Sequence, residues 1–287
     1  MKTQVYFILF FCLLAFGLHA QQSGSIVYDE LTFPSKILKS DRKYAIYLPP
    51  GYETSQRSYP VLYLLHGAGD NQTGWVQFGE VQHITDKAIA EGIATPMIIV
   101  MPDADTERRG YFNDIRGDFN YEDFFFQELI PYMEKNYRCR SEKRYRAIAG
   151  LSMGGGGTLV YALHHPEMFA SACPLSASAR VMDKEKLGKS YKNANITEKQ
   201  LDEWSKKYDI HGMVKNMPEE QKKAVRWYID CGDDDFLYEG NSLLHIGMRD
   251  NNIPHEYRVR DGGHSWNYWR TSLPEVLKFV SQGFHQY

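Results

Sequence analysis

The 287-residue sequence predicts an α/β fold, a mostly parallel central sheet with helices on both faces. Short, wholly apolar runs recur along the chain, as strands buried on both faces require. Segments with helical periodicity alternate with those runs. One run passes through a Gly-rich elbow straight into a helical pattern.

Taken in order, Tyr44-Ala45-Ile46-Tyr47-Leu48 alternates before Pro49-Pro50-Gly51, as a strand closed by a turn does. Residues 61–65 and 97–101 are apolar throughout, and each run ends in a polar turn, His66-Gly67-Ala68-Gly69 and Pro102-Asp103-Ala104-Asp105. Phe125, Leu129 and Met133 recur at helical spacing and predict a helix over 121–137, with Pro131 expected to kink or end it. Residues 146–150 form the next short strand, and 153–165 the next helix, stopped before Pro166. Residues 169–175, 225–231 and 255–259 add strands; 241–251 and 274–284 add helices. Residues 180–224 break the rhythm. They are rich in Lys and Glu, with Trp204 and Tyr208 as large anchors, and predict a helical excursion over the sheet's edge whose charge is a solvated face.

The 33 Lys and Arg against 36 Asp and Glu leave a formal charge of −3, which gives no basic face for nucleic acid. Twenty Tyr, 15 Phe and 5 Trp exclude a disordered chain and suit a surface for flat or sugar-like ligands. At the N-terminus, Lys2, an apolar run from Val5 to Leu18, and Leu18-His19-Ala20 before a polar stretch predict a secretory signal peptide over residues 1–20. Residues 21–287 then form one domain, secreted or periplasmic; the N-terminal run is too short for a comfortable membrane span, and no second such run follows. Cys12 leaves with the signal. Cys139, Cys173 and Cys231 lie far apart without metal-ligand spacing and are expected to remain thiols, two of them in apolar strands.

Gly150-Leu151-Ser152-Met153-Gly154 matches G-x-S-x-G between a predicted strand and a predicted helix. A nucleophilic serine projects from such a sharp turn, and the helix start presents free N–H groups to a reacting carbonyl. The hydroxyl needs a base. Behind this elbow the partners follow in the order acid, then His. His264 lies in Asp261-Gly262-Gly263-His264-Ser265-Trp266, a tight loop after the last strand, above the sheet's carboxyl edge. His164 and His165 end a helix and are expected to cap its carbonyls. His245 lies within a helix, and His211 is the remaining rival. Gly232-Asp233-Asp234-Asp235 offers three carboxylates after another strand. Asp235, deepest in the loop, is the first choice for the acid and Asp233 the second. The oxyanion donors are expected to be the N–H groups of Met153 and Ala68, with Gly67 second to Ala68 and His66 orienting the loop.

With these residues the chain resembles the esterase D-like branch of the α/β-hydrolases. More narrowly, it is similar to carbohydrate esterase family 1, which includes feruloyl and acetylxylan esterases. The resemblance spans roughly residues 40–282. It rests on Leu64-Leu65-His66-Gly67, on residues 123–137, on Arg146 through Gly155, on Cys231-Gly232-x-x-Asp235, and on Gly262-Gly263-His264-x-Trp266-x-x-Trp269. In the family pattern the acid stands three residues after the Gly, which favours Asp235. The resemblance implies an α/β-hydrolase fold and a serine esterase acting on feruloyl or acetyl esters of plant cell-wall polysaccharide such as xylan. Its partner is then an acylated poly- or oligosaccharide, and the chemistry calls for no metal or organic cofactor.

Trp75, Tyr111, Phe112, Trp266 and Trp269 lie in or beside loops at the catalytic edge. Their flat rings are expected to stack a hydroxycinnamoyl ring or a sugar face; for Trp266 and Trp269 the alternative is packing the His loop onto the sheet. Arg108, Arg109 and Arg116 are expected to face solvent. Two rival functions share the fold: acyl transfer to a sugar or lipid acceptor, and a carbohydrate-binding module without catalysis.

Overall fold

The computed structural model describes residues 24–104, 110–179, 181–191 and 195–285. The expected signal peptide, Cys12, Arg108 and Arg109 lie outside the described residues. The strands are β1 (Ile26–Ser35), β2 (Ser40–Leu48), β3 (Val61–Leu65), β4 (Ile98–Pro102), β5 (Arg146–Leu151), β6 (Ser171–Leu175), β7 (Arg226–Gly232) and β8 (His255–Arg260). They form one eight-stranded sheet in the order β1-β2-β4-β3-β5-β6-β7-β8. β1 pairs antiparallel with β2, and β2 with β4; every other pair, from β4 across to β8, is parallel. The apolar runs became the strands of the middle: β3, β4, β5 and β6 are buried at every position.

β1 was not legible as a strand. A bulge between Tyr28 and Leu31 inserts one residue against the stretch from Ile46 to Tyr44, and the inward positions mix Asp29 with Val27, Leu31 and Phe33 while Tyr28 is exposed, which blurs the apolar alternation.

The helices are α1 (Gly74–Gln77), α2 (Val81–Ala90), α3 (Tyr121–Phe124), α4 (Ile130–Asn136), α5 (Met153–His164), α6 (Lys184–Ser190), α7 (Glu198–Lys207), α8 (Ile210–Lys215), α9 (Tyr238–Asp250) and α10 (Trp266–His285). Two cores flank the sheet. One packs Phe124, Ile130, Val160, Val214 and Leu244, from α3, α4, α5, α8 and α9. The other packs Trp75, Val81, Trp269 and Leu277, from α1, α2 and α10.

Three expectations need correction. Pro131 neither ends nor breaks its helix: a π turn over Phe125–Leu129 leads into α4, at the point where Pro131 cannot donate to Gln127. The last helix starts at Trp266 rather than 274, with Pro274 in its interior, because Tyr268, Trp269 and Leu273 already turn inward. The excursion lies over α5 and α9 rather than over the sheet's edge. Much of its charge is solvated as expected, with Lys184 beside Glu198 at 3.6 Å and Lys189 beside Glu185 at 2.7 Å, but Lys207 reaches the buried Glu122 carboxylate at 3.0 Å. Cys139, Cys173 and Cys231 are free thiols. Burial pushes the Cys139 and Cys231 thiols up to about 12. Among the described residues no helix is long and apolar enough to cross a membrane.

Candidate active site

β5 ends at Leu151 and α5 begins at Met153, so Ser152 alone makes the turn. Its φ of 55° and ψ of −115° place a non-glycine residue in a disfavoured conformation. Backbone bonds hold it there. The Ser152 N–H donates to the Leu175 carbonyl at 2.9 Å, and its carbonyl accepts from Gly156 at 3.0 Å and Ser178 at 2.9 Å. Gly154 lets the helix start close against the β3 loop: a Cβ there would stand 2.6 Å from the His66 carbonyl oxygen and 2.7 Å from that of Leu65.

The Ser152 Oγ lies 2.9 Å from His264 Nε2, and His264 Nδ1 lies 3.0 and 2.8 Å from the two Asp235 carboxylate oxygens. A carboxylate at Nδ1 requires Nδ1 to carry the proton, which leaves Nε2 free to accept from the serine hydroxyl. The Asp235 carboxylate is buried and also accepts the Leu237 N–H at 2.8 Å. Burial alone would raise its pKa. Hydrogen bonds from His264, the Leu237 amide and Ser176 outweigh that and hold it below the ordinary carboxylate range.

The two loops that meet here are stitched together. The Asp233 carboxylate accepts the Gly262 N–H at 3.0 Å, and the Asp234 N–H donates to the Gly262 carbonyl at 3.2 Å. Gly232 permits the approach, since a Cβ would fall 1.9 Å from the Gly262 oxygen. Asp233, the second choice for the acid, thus braces the His loop instead of meeting His264. His211, the rival base, is bonded to the Ala179 carbonyl at 2.6 Å. His164 does not cap its own helix: it bridges the Glu122 carboxylate at 2.6 Å and the Lys207 carbonyl at 2.8 Å.

Beside Ser152, a Cβ on Gly67 would come within 3.5 Å of the Ser152 Cβ, so the β3 loop reaches the elbow, with Ala68 exposed just beyond. Met153 opens α5, where first-turn N–H groups have no helical acceptor. His66 is buried. Its Nε2 accepts the Ala104 N–H at 3.0 Å, so Nδ1 donates to the Gly67 carbonyl at 2.8 Å and orients the loop.

The expected substrate rings are corrected. Trp75 is fully buried, donating its indole N–H to the Leu65 carbonyl at 3.1 Å. Tyr111 is buried beneath the same loop, its hydroxyl accepting the His66 N–H at 2.8 Å. Neither ring has a face open to a ligand. Trp269 is buried as well and meets His264 edge-on at 4.9 Å, so it packs the His loop. Trp266 alone of the four is half-exposed; it leans on Trp75 at 5.2 Å, with exposed Phe78 at 6.0 Å. Arg116 is bonded to Asp114 at 3.0 Å.

A cleft of about 460 Å³ is lined by Phe112, Ser178, Met182, Trp204, Tyr208 and Ile210, and Ser178 links it to the elbow through its N–H bond to the Ser152 carbonyl. Phe112 stacks on Tyr208 at 4.7 Å, and Trp204 closes the cluster. The sequence signal was the Trp204/Tyr208 pair at i and i+4 on a charged helix. Phe112, one of the rings expected at the catalytic edge, meets that pair. The sequence did not single out Phe236, whose ring lies 4.4 Å from that of His264, or Ser176 behind Asp235.

The mostly parallel sheet and the strand-elbow-helix at Ser152 define an α/β-hydrolase. The chain belongs to the esterase family described as "Putative esterase", which it matches over residues 35–280. It is 40% identical over 152 residues to the endo-1,4-β-xylanase/feruloyl esterase of Xylanibacter ruminicola, covering 49% of this chain and only 20% of that protein. It is 23% identical over 268 residues to the acetyl esterase of Caldicellulosiruptor saccharolyticus, 88% of this chain and 97% of that one. Among solved structures, a ferulic acid esterase matches with a TM-score of 0.81 and 37% identity, over 91% of this chain and 99% of that one.

Proposed function

We propose that the protein is a serine esterase, secreted or periplasmic, that removes feruloyl or acetyl groups from plant cell-wall polysaccharide such as xylan. The hydrogen-bonded series Asp235, His264, Ser152 carries this assignment. The Ser152 Oγ attacks the ester carbonyl carbon while His264 Nε2 takes its proton. The carbonyl oxygen becomes an oxyanion held by the Met153 and Ala68 amides, each contributing roughly 2.7–4 kcal/mol to lowering the barrier. Asp235 stabilises the imidazolium, which passes its proton to the alcohol oxygen as the carbon–oxygen bond breaks. The acyl group stays on Ser152. Water, deprotonated by the same His264, then frees the acid and restores the serine.

The aromatic cleft beside the elbow favours a flat hydroxycinnamoyl group as the acyl part, and the names of the xylanase/feruloyl esterase and ferulic acid esterase relatives agree with that choice. The apolar run before Ala20 supports export. The test is parallel turnover of methyl ferulate and acetylated xylan, with Ser152→Ala as the blank. Fast ferulate release, abolished in the blank, is expected. Acetate release alone would mean a small acyl pocket, and full activity in Ser152→Ala would overturn the mechanism.

A further inference from the structure

We propose that Phe236 and Tyr238 form a stacking platform for the sugar chain of the ester's alcohol, on the leaving-group side of the site. The proposal rests on the serine-esterase reading above. In that reaction His264 hands its Nε2 proton to the departing alcohol oxygen. The alcohol therefore leaves past the His264 ring, and whatever grips it stands beside that ring. Phe236 stands there, its centroid 4.4 Å from that of His264 and the residue 63% exposed. The acyl cleft of Phe112 and Trp204 opens instead from the Ser178 side of the elbow.

The platform is built into the acid loop. The Asp235 carboxylate accepts the Leu237 N–H at 2.8 Å, and the Asp235 carbonyl accepts the Tyr238 N–H at 2.9 Å, so both rings hang from the residue that orients His264. Tyr238 is 57% exposed and opens α9. Tyr238, Ser242 and His245 share one helical face. Ser242 meets the Tyr257 hydroxyl at 3.2 Å and His245 stacks on the Tyr257 ring at 4.4 Å, so that face looks toward β8. Val259 points the same way as Tyr257, two residues on, and is 52% exposed at the strand's carboxyl end. In this proposal Phe236, Tyr238 and Val259, each exposed, form one apolar strip continuing from the active site.

Flat rings at its head suit the C–H faces of a neutral sugar chain. The exposed carboxylates of Asp233 and Asp234, in the same loop, are acceptors for sugar hydroxyls. An apolar strip adjoining a reaction centre marks a ligand surface.

The experiment compares kcat/KM on a feruloylated arabinoxylo-oligosaccharide with kcat/KM on methyl ferulate, for Phe236→Ala and Tyr238→Ala, with Tyr28→Ala as a remote exposed control. In each platform variant the oligosaccharide-to-methyl ratio is expected to fall about 2- to 10-fold, the scale of one lost aromatic contact, mostly through KM. The control ratio stays put. Equal losses on both esters for Phe236→Ala, with no effect of Tyr238→Ala, would reduce Phe236 to packing against His264 and overturn the platform. So would unchanged ratios, or a ratio change confined to Phe78→Ala and Trp266→Ala on the opposite flank. If the unmodified protein turns over neither ester, nor acetylated xylan, the esterase reading fails separately. Titration of unmodified protein and Tyr238→Ala with xylohexaose then decides the platform: weaker binding to the variant upholds it, and equal or absent binding overturns it.

Discussion

The Trp269 indole N–H donates to the Ser176 hydroxyl at 3.0 Å, tying the His264 loop to the loop that follows β6. Trp269 meets His264 edge-on, while Ser176 helps to hold Asp235 ionised. His264 and Asp235 therefore share one buried brace, and Ser176 accepts a φ of 43° to provide it. Ser176→Ala leaves the Trp269 N–H buried without an acceptor, at a cost of roughly 1–3 kcal/mol. A lower denaturant midpoint is expected, with a kcat loss smaller than that of Asp235→Asn. Unchanged stability would mean that the indole finds another partner.

Asp235→Asn keeps the shape of the acid but can donate at Nδ1, which favours the wrong His264 tautomer. Loss of roughly 10⁴ in kcat is expected with the fold intact. Asp233→Asn weakens only the brace to Gly262 and is expected to lose far less. Comparing kcat on a nitrophenyl ester, with circular dichroism as the folding control, decides the order. A reversed order would make Asp233 the acid.

Much of this site was legible because the chemistry is local. Strand, elbow and helix follow one another at Ser152, and the His264 and Asp235 loops each directly follow a strand. What was hidden depends on which rings end up inside. Trp75, in α1, and Tyr111 follow the ends of β3 and β4, as flat substrate-facing residues do, yet both are consumed in supporting the His66 loop. Phe236 follows three aspartates and precedes Leu237 and Tyr238, and nothing in that run announces the contact with His264. Long-range packing decides both cases, and periodicity carries no information about it.

Glu122 predicts an acid-sensitive cleft. Its buried carboxylate meets His164 at 2.6 Å, the Tyr208 hydroxyl at 2.7 Å and the Lys207 ammonium at 3.0 Å. Burial would raise its pKa, but His164 first, then His165 and the Tyr208 hydroxyl, hold it well below the ordinary range. A folded pKa below the unfolded one gives stability that is complete above the unfolded value, about 4.3, and is lost as pH falls toward the folded one. Asp235 acts in the same direction. Denaturation midpoints are expected to drop on acidification below about pH 4–5, and Glu122→Gln should lower the neutral-pH value and flatten the profile. Tyr208 also walls the cleft, so this variant should raise KM for methyl ferulate more than it lowers kcat. A profile as steep as the parent's would mean that other carboxylates carry the acid response.

Gly154→Ala sets helix propensity against close packing at the elbow. Inside a helix Ala is favoured over Gly by about 1 kcal/mol. At this position the new methyl would press on two backbone oxygens, those of His66 and Leu65 at 2.6 and 2.7 Å, which have no rotamer to escape into. Overpacking of that kind costs roughly 1–3 kcal/mol, so the steric term should win and urea should unfold the variant earlier. Relief comes only by pushing α5 away from the β3 loop. That movement separates the Met153 and Ala68 amides, so kcat should fall by more than the stability loss explains. A variant as stable and as active as the parent would show that the helix start has room to shift, and would remove the oxyanion role from the β3 loop.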